Sequence, residues 1–133
     1  DPNGNVVLGG ARLLPTTHTT MNGAGSYMIR DADLGLLDAI PSGICFDDPP
    51  VSESIWELTR IISYPTLNIG SRILLEVNRY LNSLDVKQCL CLSSPALMRM
   101  ARSAGHSPVA LGKITKNKDG NFLPFSCQVQ AIN

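Results

Sequence analysis

The chain has 133 residues, of which 44% are hydrophobic and 17% charged, with a formal net charge of zero. That size and balance fit one globular domain with a single core, and no apolar run approaches the roughly 18–20 residues that span a bilayer. The zero hides an asymmetry: residues 1–66 carry a net charge of −5 and residues 67–133 a net charge of +5. A basic half reads first as ordinary solvated surface, although it also suits an acidic partner. Nucleic acid is disfavoured, because stacking needs aromatic side chains and only 5% of the residues are aromatic.

In chain order, DPNGN at 1–5 has the composition of a hairpin turn met in mid-protein, so further sequence is expected to precede Asp1. No secretory signal is visible. Residues 5–14 read as a strand weakened by the pair Gly9-Gly10, and 15–27 as a loop of small and polar residues. Asp31 is a candidate N-cap for a short helix over 31–40, whose apolar face would be Leu34, Leu37 and Ile40. Residues 41–53 form a second loop around Pro49-Pro50, and a strand follows at 54–63.

The spacing of Ile73, Leu74, Val77, Tyr80, Leu81 and Leu84 predicts a helix over 68–84, with Asn68 as its cap. The nearly continuous apolar run 86–92 predicts a strand buried on both faces. Ser94 and Pro95 open a further helix that Gly105 closes. Residues 107–115 and 121–130 predict two strands joined by the turn NKDGN. Helix-linked strands at 54–63 and 86–92 should run parallel, so the expected fold is a three-layer αβα sandwich with a mixed sheet, in a single domain over 1–133.

Four cysteines are present, Cys45, Cys89, Cys91 and Cys127. The expected state is four reduced thiols in a cytoplasmic protein. The C-x-C spacing of Cys89 and Cys91 puts both on one face of a strand, where they act as small hydrophobes. With only His18 and His106 as further soft ligands, no metal site is expected.

The strand SIWELTRII at 54–62 mixes apolar residues with Glu57, Thr59 and Arg60. Alternation puts Glu57 and Thr59 on one face and Trp56, Leu58 and Arg60 on the other. Arg12, on the first strand, is a second basic group in a largely apolar setting. Burying such charges without partners is expensive. Two readings stay open at this point: structural ion pairs among Glu57, Arg12, Arg60 and nearby aspartates, or a site with Glu57 as general base and the arginines orienting a charged ligand.

GGARLLPTT at 9–17, IWELTR at 55–60, SSPALMRMARSAG at 93–105 and HSPVALGKITKNKDGNFLPFSCQVQ at 106–130 occur in that order. Together they resemble the acyl-homoserine-lactone synthases, the autoinducer synthases of bacterial quorum sensing. The resemblance covers nearly the whole chain, and its most specific part is RLLPT followed by an E-x-[ST]-R strand. It implies an acetyltransferase-like fold in which the strands at 54–63 and 86–93 splay apart to admit an acyl-phosphopantetheine arm. It also implies a reaction: the amine of S-adenosylmethionine attacks the thioester of an acyl-acyl carrier protein. The new amide then lactonises and expels methylthioadenosine. S-adenosylmethionine is a substrate there, and no cofactor is implied.

Carried over by position, the resemblance makes Glu57 the base acting through a water, and makes Arg12, Thr59 and Arg60 substrate-binding groups. Ser93 falls where a hydroxyl would read a 3-oxo or 3-hydroxy substituent. Leu74, Val77, Leu90 and Leu92 are acyl-pocket candidates, although each reads first as ordinary core. Arg99 and Arg102 share a helix face and are nominated, with Lys113 and also Lys116 or Lys118, to dock the acidic carrier protein. Two departures stand out. The family's N-terminal portion, which helps form the adenosylmethionine pocket, has no counterpart here, so these 133 residues alone are expected to be inactive. The segment NGAGSYMIRDADLG at 22–35 is also longer than the family's usual connection. Two rivals share the scaffold: a carrier-protein-dependent N-acyl amino acid synthase that never lactonises, and a non-catalytic acyl-binding module.

Overall fold

The computed structural model describes residues 9–20, 23, 25–37, 40–63, 70–117 and 120–131; of residues 60–63 it describes the backbone alone. The elements are β1 (Gly9–Pro15), α1 (Met28–Asp33), β2 (Ile55–Ser63), α2 (Gly70–Ser83), β3 (Gln88–Ser93), α3 (Pro95–Ser103), β4 (Val109–Ala110), β5 (Thr115–Asn117) and β6 (Gly120–Gln128). They build one mixed sheet in the order β1-β2-β3-β6-β4, with β5 paired to β6. The pair β2–β3 is parallel, as the intervening helix requires, and the other pairs are antiparallel.

Each face of the sheet carries its own apolar cluster. Leu58, Cys89, Cys91 and Phe125 pack with Leu74 and Leu81 of α2 and Ala101 of α3. Tyr27, Ile29 of α1 and Leu90 form a second cluster, against which Leu14, Cys45, Ile55 and Leu92 pack. Strand alternation alone divides the two: Cys89 and Cys91 go to one face and Leu90 between them to the other. The two cysteines fill space there as small hydrophobes, as their spacing predicts.

Three expectations are corrected. The short helix runs over Met28–Asp33 and not 31–40. Its N-terminus is fixed from outside, by a carboxylate on β2, and Gly35, at φ +78°, ends it. Leu34 and Leu36 beyond it are exposed. The predicted strand 107–115 is split into β4 and β5, because residues 111–114 turn aside and Gly112 bridges to Cys45. A Cβ at Gly112 would lie 1.8 Å from the Ile44 carbonyl oxygen, so only glycine admits this crossing. On α2, Tyr80 and Leu84 are exposed, and the buried stripe is Leu74, Asn78 and Leu81. Asn78 is satisfied by the backbone of Gln130, donating from Nδ2 (3.1 Å) and accepting at Oδ1 (2.8 Å). The proposed cap Asn68 and residues 1–8 lie outside the described residues.

The sheet opens in the middle. β2 and β3 pair from Ile55–Gln88 to Leu58–Cys91 and no further, although both strands continue. Beyond that point β2 stays with β1, ending at Gly9–Ser63, and β3 stays with β6, ending at Ser93–Leu123. Neighbouring strands that each keep their outer partner while leaving one another must diverge, which leaves inward-facing backbone groups of both unpaired with each other.

Candidate active site

Glu57 lies one residue before this parting, opposite Leu90. Its side chain is fully buried. The carboxylate is held by the first turn of α1: the backbone N–H of Met28 donates to Oε1 and that of Ile29 to Oε2, both at 2.8 Å. A helix start presents N–H groups with no partner of their own, so an anion there satisfies both sides. Burial pushes the Glu57 carboxyl above its ordinary value, the two N–H donors pull it back, and Asp31 and Arg12 act in opposite senses at longer range.

Glu57 also faces a cavity of about 180 Å³, lined by Arg12, Leu14, His18, Ser26, Tyr27, Met28, Asp31 and Thr59. Arg12 pairs with Thr59 and Leu14 with Glu57 across β1–β2, so register places these four on the same wall. The opposite wall comes from the loop before α1. There the backbone N–H of Ser26 donates to the His18 carbonyl (2.8 Å), Thr19 bridges Gly25, and the Ser26 hydroxyl donates to Asp31 Oδ2 (2.8 Å). His18 Nδ1 lies 2.9 Å from the Ser26 carbonyl oxygen.

Beneath the cavity, buried Thr16 accepts the N–H of Ser52 at its hydroxyl (2.9 Å), which in turn donates to the Ser52 carbonyl (2.8 Å). Tyr27 donates its hydroxyl to the Pro50 carbonyl, and burial pushes that phenol up. Both residues tie the loop at 41–53 to the site. The predicted pairing of Glu57 and Thr59 in one cleft wall is therefore observed. His18, Ser26, Tyr27 and Asp31 were not foreseen; the only sequence signal for them is a loop too polar for a mere connection.

The other nominated residues fall in several places. Arg12 is exposed, contrary to the apolar setting expected for it, because β1 is an edge strand of the described sheet. The Arg60 side chain lies outside what is described. Ser93 is half-buried at the end of β3, beside the opening, and donates to the Ser94 carbonyl (3.0 Å). The four acyl-pocket candidates do not share one space. Leu74 and Val77 line a cavity of about 30 Å³ with Cys89, Cys91, His106 and Phe125, whereas Leu90 and Leu92 pack on the opposite face.

Arg99 and Arg102 are exposed on α3, which packs on the first cluster. Lys113 and Lys116 instead border a hollow shared with Ile44, Cys45 and Phe46, and Cys45 packs on the second cluster. Lys118 lies outside the described residues. Among the described residues no group of three or more His, Cys, Asp or Glu is placed to hold a metal ion, and no helix is long and apolar enough to cross a membrane.

No protein-family model matches the chain, and no curated protein matches it in sequence. Solved structures do match. TofI, in a ternary complex with an inhibitor and MTA, superposes at a TM-score of 0.74 with 21% identity, over 98% of this chain and 61% of TofI. BjaI, a CoA-dependent acyl-homoserine lactone synthase solved with SAM and isopentyl-CoA, gives 0.71 with 16% identity, over 96% of this chain and 55% of BjaI. A putative N-acetyltransferase from Lactobacillus plantarum gives 0.50 over 62% of the chain, at 9% identity. The chain thus spans a little over half the length of BjaI and of TofI. Over that span it has the fold of the acyl-homoserine lactone synthases, an α/β arrangement of the acetyltransferase kind.

Proposed function

We propose that this protein makes a quorum-sensing signal by transferring an acyl group from a thioester to the amine of S-adenosylmethionine, then closing the homoserine lactone with loss of methylthioadenosine. One observation carries the reading: the parallel strands β2 and β3 part at Leu58–Cys91, with a buried carboxylate and a polar cavity beside the parting. The fold shared with BjaI and TofI supports it.

In this reading the thioester arm enters the opening between β2 and β3. Unpaired strand N–H groups there suit the oxyanion that forms as the amine attacks. Glu57 takes the first proton of the substrate ammonium through a water. Each of its oxygens holds one amide donor and keeps a lone pair free, and burial makes it a better base than an ordinary carboxylate. Arg12 and Arg60 orient the adenosylmethionine carboxylate, and Thr59 and Ser93 present hydroxyls to the acyl 3-position. The donor we infer is an acyl-acyl carrier protein, met by the exposed bases Arg99 and Arg102.

The test is mass spectrometry of extracts from cells expressing the gene. It should find an ion of defined acyl mass that releases a homoserine-lactone fragment. Purified protein given matched acyl-carrier-protein and acyl-coenzyme A donors then assigns the donor, and a preference for coenzyme A would overturn the carrier-protein assignment alone.

A further inference from the structure

The reaction strips two protons from one nitrogen: an ammonium enters and a secondary amide leaves. Glu57 serves poorly for both. It is wholly buried and each of its oxygens already accepts an amide hydrogen, so one proton taken there occupies the carboxylate until it is passed on. The same cavity holds a second proton acceptor.

His18 lines that cavity and is half-buried. Its Nδ1 lies 2.9 Å from the Ser26 carbonyl oxygen, and a carbonyl can only accept. Nδ1 therefore carries the hydrogen, and in the neutral ring Nε2 is left with a free lone pair. Two contacts fix the ring carrier: Ser26 N–H to His18 carbonyl, and the Thr19–Gly25 bridge. Ser26 is in turn tied to Asp31 on α1, the helix whose first turn holds Glu57. Imidazole and carboxylate are thus positioned from the same short helix. The carboxylates of Glu57 and Asp31 on the cavity wall favour a cationic amine between them.

We infer that His18 is a second catalytic base, taking through Nε2 the proton that the nitrogen sheds once the C–N bond has formed; this rests on the acyl-transfer reading above. Glu57 accepts the first ammonium proton, which later passes to solvent. The neutral amine attacks the thioester carbon, and the new N–H⁺ gives its proton to Nε2. The C–S bond then breaks, and sulfur leaves as thiolate and takes that proton from the imidazolium to end as thiol.

The experiment compares His18→Asn and His18→Ala with the wild-type protein as its gene encodes it, using S-adenosylmethionine and the preferred acyl donor. Asparagine keeps a side-chain N–H for the Ser26 carbonyl but has no base at the Nε2 position. Its kcat should fall roughly a hundredfold while KM for S-adenosylmethionine changes less than about twofold. Added imidazole should restore kcat of His18→Ala in a concentration-dependent way without raising its melting temperature. Wild-type kcat in His18→Asn would overturn the inference. So would lost activity that imidazole does not rescue, since that marks a purely structural contact. Should the wild type itself form no amide from any acyl thioester, the acyl-transfer reading fails, and the base fails with it.

Discussion

The two faces of β2 are built on different principles. Toward α2 and α3, Leu58 joins Phe125, Leu81 and two cysteines in a contiguous apolar cluster where shape and water exclusion decide everything. Toward α1, the next residue back is a fully buried carboxylate, held by two amide hydrogens and bordered by a polar cavity. One strand separates a face that stabilises from a face that is kept polar at a cost in stability. The difference teaches where to look for chemistry: the polar groups on the second face are satisfied by backbone from distant segments, and the space between them is left open.

The largest expected effect is on the apolar face. Phe125→Ala should destabilise by about 4 kcal/mol, measured by chemical denaturation, with no specific effect on the cavity near Glu57. On the polar face, Glu57→Ala leaves the N–H groups of Met28 and Ile29 without their acceptor and should cost about 3 kcal/mol, with α1 losing amide-exchange protection first. Equal protection in α1 before and after the change would break the comparison. Asn78 is a buried polar residue on the apolar face. Asn78→Ala should cost about 2 kcal/mol by orphaning the Gln130 N–H and carbonyl.

Acid sharpens the contrast further. Because burial raises the Glu57 carboxyl, the folded state holds that proton to a higher pH than the unfolded chain. The Glu57 contribution to stability therefore falls as pH rises from about 4.3 through the raised value. Glu57→Gln should remove that slope, and an unchanged profile would place the effect elsewhere. The smallest effect concerns the thiols. Burial pushes Cys127 up to about 11, and burial together with Asp33 does the same to Cys45. At pH 8 each should carry about a hundredfold less thiolate than an ordinary cysteine, and alkylate correspondingly slowly.

Much of the fold was legible because it rests on local periodicity. The alternation in SIWELTRII separates Glu57 and Thr59 from Leu58, and the C-x-C spacing assigns Cys89 and Cys91 to one face. The site was legible on β2 and, at Arg12, on β1. Asp31 has the composition of a helix cap, yet the anion that holds α1 comes from Glu57, more than twenty residues away, and no local pattern encodes that. His18 likewise gains its meaning from Ser26 across a loop, and the strand at 107–115 is broken by a contact of Gly112 with Ile44. Each case was decided by a contact that no helix or strand periodicity encodes: across eight residues for His18 and across far longer stretches for Glu57 and Gly112.

The most direct test of the central proposal follows isotope through the reaction. The protein as its gene encodes it would be incubated with an acyl thioester and S-adenosylmethionine carrying label in both its methyl group and its amino-acid carbons. Labelled methylthioadenosine and labelled N-acyl-homoserine lactone should rise together in a one-to-one ratio. An open-chain N-acyl product without methylthioadenosine, or no acyl transfer at all, would contradict it.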